Sequence, residues 1–141
     1  MAFLEITDYK AVADDKTLSV IHQQSTTNLQ RAEKYAAEEV SSYLRSKYNM
    51  TQAFALTGDN RNQQLVMIMC DIALYHLISW LPLKMGFEIR EIRYKRAIEW
   101  LESVQAGKAS PELPPLIDSE TGEDIGNPMK WGSMNKNKYD W

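Results

Sequence analysis

The sequence predicts an all-α protein, a small bundle of about four to five helices, two or three of them long, followed by an extended C-terminal arm. Three observations carry that prediction. Apolar residues recur at spacings of three and four through two long stretches, a third stretch between them is apolar on nearly every side, and glycine with proline then ends the last helix before a compositionally different tail. The boundary falls at residue 109: residues 1–109 form the helical bundle and 110–141 the arm.

The first element is a short helix over ITDYKAVADD, with Thr7 as N-cap, since a threonine hydroxyl can accept an orphan N–H of the first turn. Asp14 and Asp15 close it and lead into a second short helix over Lys16 to Gln24, with Leu18, Ile21 and His22 facing inward. The first long helix follows, capped at Ser25 or Thr26. Leu29, Ala32, Ala36, Val40, Tyr43 and Leu44 make its apolar face; Arg31, Lys34, Glu38, Glu39 and Ser42 lie on the other side. Its expected end is Tyr48-Asn49, because asparagine tolerates the left-handed conformation that finishes helices.

MTQAFALTGDNRNQ reads as a loop, with a turn at Gly58-Asp59-Asn60 and Phe54 and Leu56 tacking it down. Its length exceeds the usual helix connection and points to exposure or binding. The central helix is QQLVMIMCDIALYHLISWLPL, apolar all round and so suited to the middle of a bundle or an oligomer interface. Pro82 ends it, since the residue before a proline is pushed out of helical geometry. The last helix starts near Gly86 or Phe87. Ile89, Ile92, Ala97, Trp100, Leu101 and Val104 form one face, and Arg90, Glu91, Lys95, Glu99 and Glu102 another. Gly107 is its C′ residue and Pro111 forbids resumption. In the arm, Leu116-Ile117, a turn at Ser119 to Gly122, and Ile125 can form a short hairpin, or the segment is extended and folds on a partner.

Composition narrows the function. At 141 residues with 44% hydrophobic content the chain has the makings of one folded domain. One cysteine, Cys70, excludes an internal disulfide, and no Cys/His spacing fits zinc, which points to a reducing compartment. The best apolar run is broken by Asp71, His76 and Pro82, short of a membrane span, and the N-terminus lacks the pattern of a signal peptide. A net charge of −3 gives no global pull toward nucleic acid.

Catalytic chemistry finds no constellation. Cys70 and His76 lie six residues apart, on nearly opposite sides of a helix that turns about 100° per residue, so they cannot pair as nucleophile and base. No phosphate loop, nucleophile elbow, HExxH or EF-hand is present. We therefore expect no enzyme activity, cofactor or metal. Asp71, set amid apolar neighbours, needs a partner, and Arg90, Arg93 or Arg96 on the following helix can supply a charge-assisted bond that pins two helices or reaches a neighbouring subunit. Arg90, Arg93, Lys95 and Arg96 form the one basic cluster, but Glu88, Glu91 and Glu99 interleave with it, as on a solvated face.

The order of YLRSKY (Tyr43 to Tyr48), the acid-isoleucine-alanine of Asp71 to Ala73, and YKRAIEWLESVQAGK, with Tyr94, Ala97, Leu101 and Gly107-Lys108, resembles the Mu-like family of small helical head-tail adaptor proteins of tailed bacteriophages. The resemblance covers roughly Phe3 to Pro115. It implies a structural virion assembly protein, a head-tail adaptor or head-completion protein made in the host bacterial cytoplasm and placed at the capsid vertex. Such proteins form a ring, commonly a dodecamer, below the portal, extend the DNA channel without sequence-specific binding, and give the stopper or tail a docking platform. No catalytic residues transfer with it. The candidate interaction residues are Asp71, Arg90, Arg93 and Arg96 on the helices, and Leu113, Leu116, Ile117, Ile125, Met129 and Trp131 in the arm. The alternative is a helix-turn-helix-like nucleic-acid-binding regulator, against which stand the acidic balance and the lack of a basic recognition helix.

Overall fold

Hydrophobic periodicity sets the architecture of the computed structural model, which describes residues 3–15, 18, 19, 26–80, 87–117 and 122. Its α-helices are α1 (Thr26–Leu44), α2 (Met50–Ala55), α3 (Gln63–Ser79) and α4 (Phe87–Gln105), with short 3₁₀ helices at Ile6–Ala11 and Gly58–Asn60. No strand occurs among the described residues, apart from an isolated antiparallel bridge between Tyr48 and Pro115. The all-α class is as the sequence predicts.

α3 is the axis. It packs against α1, α4 and the N-terminal 3₁₀ helix, while α1 and α4 also touch each other. Apolar residues on most sides of it are therefore buried, with Met67 left exposed: Leu65, Ile72, Leu74 and Leu77 are essentially solvent-free, each stabilising the fold by roughly 1.5–3 kcal/mol. Asn62 starts the helix, its side-chain oxygen accepting the Leu65 N–H at 2.9 Å. The helix stops at Ser79, before the expected end; Pro82 lies outside the described residues, as do Gly86 and the approach to α4. α1 buries Leu29, Ala32, Ala36, Val40 and Leu44 against this axis, with Tyr43 half-buried beside them.

Several expectations need correction. The first helix is 3₁₀ in form and is capped by Glu5 rather than Thr7: the Glu5 N–H donates to Asp8 Oδ2 at 2.7 Å. Thr7 sits inside the first turn. α1 ends at Leu44 instead of Tyr48-Asn49, and Asn49 is not left-handed (φ −81°). Its side chain starts a new helix by accepting the Gln52 N–H at 3.0 Å. The stretch read as a loop thus contains α2, because an asparagine that can end one helix can equally cap the next. Asp15, Leu18 and Ser19 are helical, the Leu18 N–H reaching Asp14 O at 3.0 Å, but most of the expected helix 16–24, with Ile21 and His22, and the cap Ser25 lie outside the described residues.

The stop after α4 is as expected. Gly107 has φ +83°, its N–H donates to Val104 O at 3.0 Å, and the Lys108 N–H returns to Ser103 O at 2.8 Å, the paired bonds of a Schellman cap. The chain then doubles back instead of leaving. The Asn49 N–H donates to Pro114 O at 2.9 Å, Asn62 Nδ2 donates to Glu112 O at 3.0 Å, and Leu113 packs on the core. Beyond Ile117 only Gly122 is described, so most of the hairpin segment and the anchors Ile125, Met129 and Trp131 lie outside.

Candidate interaction surface

The buried Asp71 finds its partner on α4. Arg93 Nε donates to Asp71 Oδ1 at 2.7 Å, across two helices that the apolar core already holds together. Burial holds the Asp71 carboxyl above its ordinary value even so, with the Arg93 hydrogen bond and charge pulling the other way. The other two candidate arginines behave differently. Arg96 is exposed and makes no ion pair among the described residues. Arg90, expected on the polar face, points inward and is only 6% exposed, its Nη2 donating to Val12 O at 2.9 Å. Its buried Nη1 has no hydrogen-bond partner among the described residues. Burial draws this guanidinium below its ordinary value, opposed by the nearby Asp71 charge.

With Arg90 turned in, Ile89 and Ile92 turn out. They are 58% and 52% exposed, against the expectation that they share the core face with Ala97, Leu101 and Val104. The helix requires this. Ile92 and Ala97 are five residues apart, about 140° around an α-helix, so the buried face of Ala97 cannot include Ile92, while Ile89, about 80° from Ala97, falls at its margin and Arg90, about 20° away, lies within it.

Two polar assemblies carry no signal in the sequence. Arg61, in the segment read as loop, is buried and forks onto Asp8: Nη1 to Oδ2 at 2.6 Å and Nη2 to Oδ1 at 3.1 Å. It also donates to the carbonyls of Phe3 and Gly58, both at 2.8 Å, and lies over the Phe3 ring. Burial opposes ionisation of Asp8, but the bonds from Arg61 and from the Glu5 N–H, with the Arg61 charge, hold its carboxyl below the ordinary value. Glu39, expected in solvent, is the second. It is only partly exposed and lies 3.0 Å from His76 Nε2 while accepting from the Tyr94 hydroxyl, whose ring stacks on Tyr75. The His76 hydrogen bond lowers the Glu39 pKa, burial opposes, and the Tyr94 bond adds to the lowering. At the rim of this cluster Tyr35 and Trp80 meet edge to face, both largely exposed.

A family model described as Bacteriophage Mu, Gp36 matches residues 3–125. The chain belongs to this family. The match takes in the whole bundle and the start of the arm, and it makes this a protein of Mu-like phages. Searches of curated proteins and of solved structures return no match.

In this phage protein the reactive side chains are tied into the fold. The Cys70 thiol is fully buried, and burial, reinforced by nearby carboxylates, raises its pKa far from thiolate formation. The Tyr9 hydroxyl donates to Glu33 at 2.6 Å, and burial followed by the Glu33 charge holds it protonated. No group of three or more metal-ligating side chains assembles among the described residues, and none of the described helices is long and apolar enough to cross a membrane. The arm candidates divide: Leu113 packs on the core, Leu116 helps line a groove of about 380 Å³ with Tyr48, Met50 and Phe54, and Ile117 is exposed. A neighbouring groove of about 470 Å³ runs between α1 and the N-terminal segment, lined by Phe3, Leu4, Ala37, Phe54 and Met69.

Proposed function

We propose that this protein is a head-tail adaptor or head-completion protein: a non-enzymatic structural component of the virion that assembles as a ring, commonly a dodecamer, below the portal at the capsid vertex. It extends the DNA channel, letting packaged DNA pass without sequence-specific contacts, and presents a platform to the stopper or tail. Cofactors, metals and membranes have no part in this role.

The observation that carries the reading is membership of a Mu phage family combined with where the polar and apolar groups lie. Asp71, Asp8, Glu39 and Glu33 are each spent on a tie between elements, while large apolar side chains such as Ile89, Ile92 and Trp80 stand in solvent. That division suits a protein whose work is contact. Exposed apolar groups on different helices, such as Tyr35, Met67 and Ile92, suit cyclic assembly, in which one patch meets a different patch on the neighbour.

Negative-stain imaging of the protein alone and mixed with the portal protein tests the proposal. Rings, or decoration of the tail-facing end of the portal, are expected. A strict monomer that leaves portals undecorated refutes it, and tight, salt-dependent binding to free duplex DNA would favour a nucleic-acid-binding regulator instead.

A further inference from the structure

The first turns of α4 present a face that the bundle does not use. Ile89 and Ile92 are the two most exposed large apolar side chains among the described residues. Arg96 continues the same stripe one turn on, at i+4 from Ile92, and Arg93 borders it. Arg96 makes no ion pair among the described residues, and Arg93 engages Asp71 through Nε. Glu99 lies beyond Arg96, and Glu91 on the far side is near Lys95 at 4.0 Å. Exposed Glu88 stands one turn before Ile92, so with Glu99 it makes one border acidic, while Arg93 and Arg96 make the stripe positive on its other side, with the two isoleucines between.

The sequence holds a segment of matching chemistry. From Ile117 to Ile125 it reads IDSETGEDI, with Asp118, Glu120, Glu123 and Asp124, no basic residue, and an isoleucine at each end. Ile117, where the described arm stops, is itself exposed. Position favours a contact between copies. Lys47 Nζ bonds Val104 O at 3.1 Å and Asn49 holds Pro114, so the arm departs from the end of the bundle where α4 finishes. Ile92 lies thirteen residues back along that helix, about 20 Å away. The described part of the arm, up to Ile117, and the stripe occupy opposite ends of one molecule, the arrangement of a head-to-tail contact that repeats from copy to copy.

We propose that the α4 stripe of Ile89, Ile92, Arg93 and Arg96 is a docking surface for the acidic segment 117–125 of a second copy of this chain. The isoleucines supply the apolar contact and the arginines pair with the carboxylates, which fixes direction along the stripe. This contact rests on the ring reading above and would be one joint of the ring, but it is tested on the free protein, with no portal present.

Sedimentation equilibrium on the full chain at low and high salt, up to several hundred micromolar, measures it. The wild type is expected to self-associate, and more weakly in high salt because the charges are screened. Ile89→Asp/Ile92→Asp alters only exposed positions, so its circular dichroism should match the wild type while self-association falls about tenfold or more. A variant with Asp118, Glu120, Glu123 and Asp124 changed to Lys should do the same. The two variants mixed should form a heterodimer and stop there, since one retains the arm and the other the stripe. A wild-type chain that remains monomeric, as an arm folded onto its own stripe would leave it, overturns the proposal. So does either variant that associates like the wild type, or a mixture that stays monomeric. If portals are still decorated in that case, the adaptor reading stands and this joint alone fails.

Discussion

Replacing Arg61 with methionine removes a cation that ties the N-terminal segment to the α2–α3 connection. Arg61 is 6% exposed and its partner Asp8 12%, so the substitution leaves a largely buried carboxylate without its fork and the Phe3 carbonyl without its guanidinium donor, while the Gly58 carbonyl keeps only the backbone N–H of residue 61 at 3.4 Å. Breaking such a pair from one side costs about 3–5 kcal/mol when fully buried. Residual exposure of Asp8 places the expected loss near the lower figure, about 3 kcal/mol, or roughly 10 °C in Tm for a chain of this length. Urea unfolding followed by circular dichroism measures it, and a double-mutant cycle with Asp8→Asn isolates the pair. The pH dependence supplies a second signature. Because the folded-state pKa of Asp8 lies below its ordinary value, the pair's contribution is complete above the unfolded carboxylate pKa and is lost as pH falls through the lower folded value. Arg61→Met should abolish that part of the acid transition. A loss under about 1 kcal/mol, or an unchanged acid limb, would refute the view that Arg61 is the anchor.

Arg93→Met should destabilise by about 2 kcal/mol at pH 7, less than Arg61→Met because Arg93 is partly exposed. The Asp71 pKa, already raised by burial, rises further without Arg93, so the deficit should shrink as pH falls toward 4 and the folded state keeps its proton; equal deficits at both pH values would count against the tie. Gly107→Ala should cost about 1–2 kcal/mol by backbone strain alone, since φ is +83° and an added Cβ meets only Lys47 Nζ at 3.7 Å; thermal melts will detect it. Two truncations probe the arm: removing residues 111–141 should cost about 2–3 kcal/mol more than removing 118–141, reflecting Leu113 and the bonds to Pro114 and Glu112, and equal melts would show that the arm's docking contributes nothing.

The long elements were legible because their evidence is repetitive. Buried positions in α1 repeat one helical period, α3 is an unbroken apolar run too long for a strand, and Gly107 marks a stop because positive φ is a conformation glycine adopts without the strain other residues meet. Asp71 also declared itself, as a carboxylate that has to have a partner in such company. Arg61 could not. It sits in a polar run without period, and its main partner, Asp8, is 53 residues upstream, so nothing local distinguishes it from a solvated arginine. Glu39 falls at the edge of the α1 stripe, and only His76 and Tyr94, from two other helices, draw it inward. At the start of α4 the error was of another kind: hydrophobicity argued for Ile89 and Ile92, the helical angle argued for Arg90, and the angle prevailed because Ala97, Leu101 and Val104 had already fixed which face is buried.

Asn49 and Asn62 each do two jobs at once. Asn49 caps α2 with its side chain and grips the arm through its backbone N–H; Asn62 caps α3 with its oxygen and grips the arm with its amide nitrogen. A pull on the arm therefore acts directly on the first turns of two helices, one of which is the axis of the molecule. Force arriving at Pro114 and Glu112 is shared between two anchorages and passed lengthwise into α3, so tension on this segment is borne by the core.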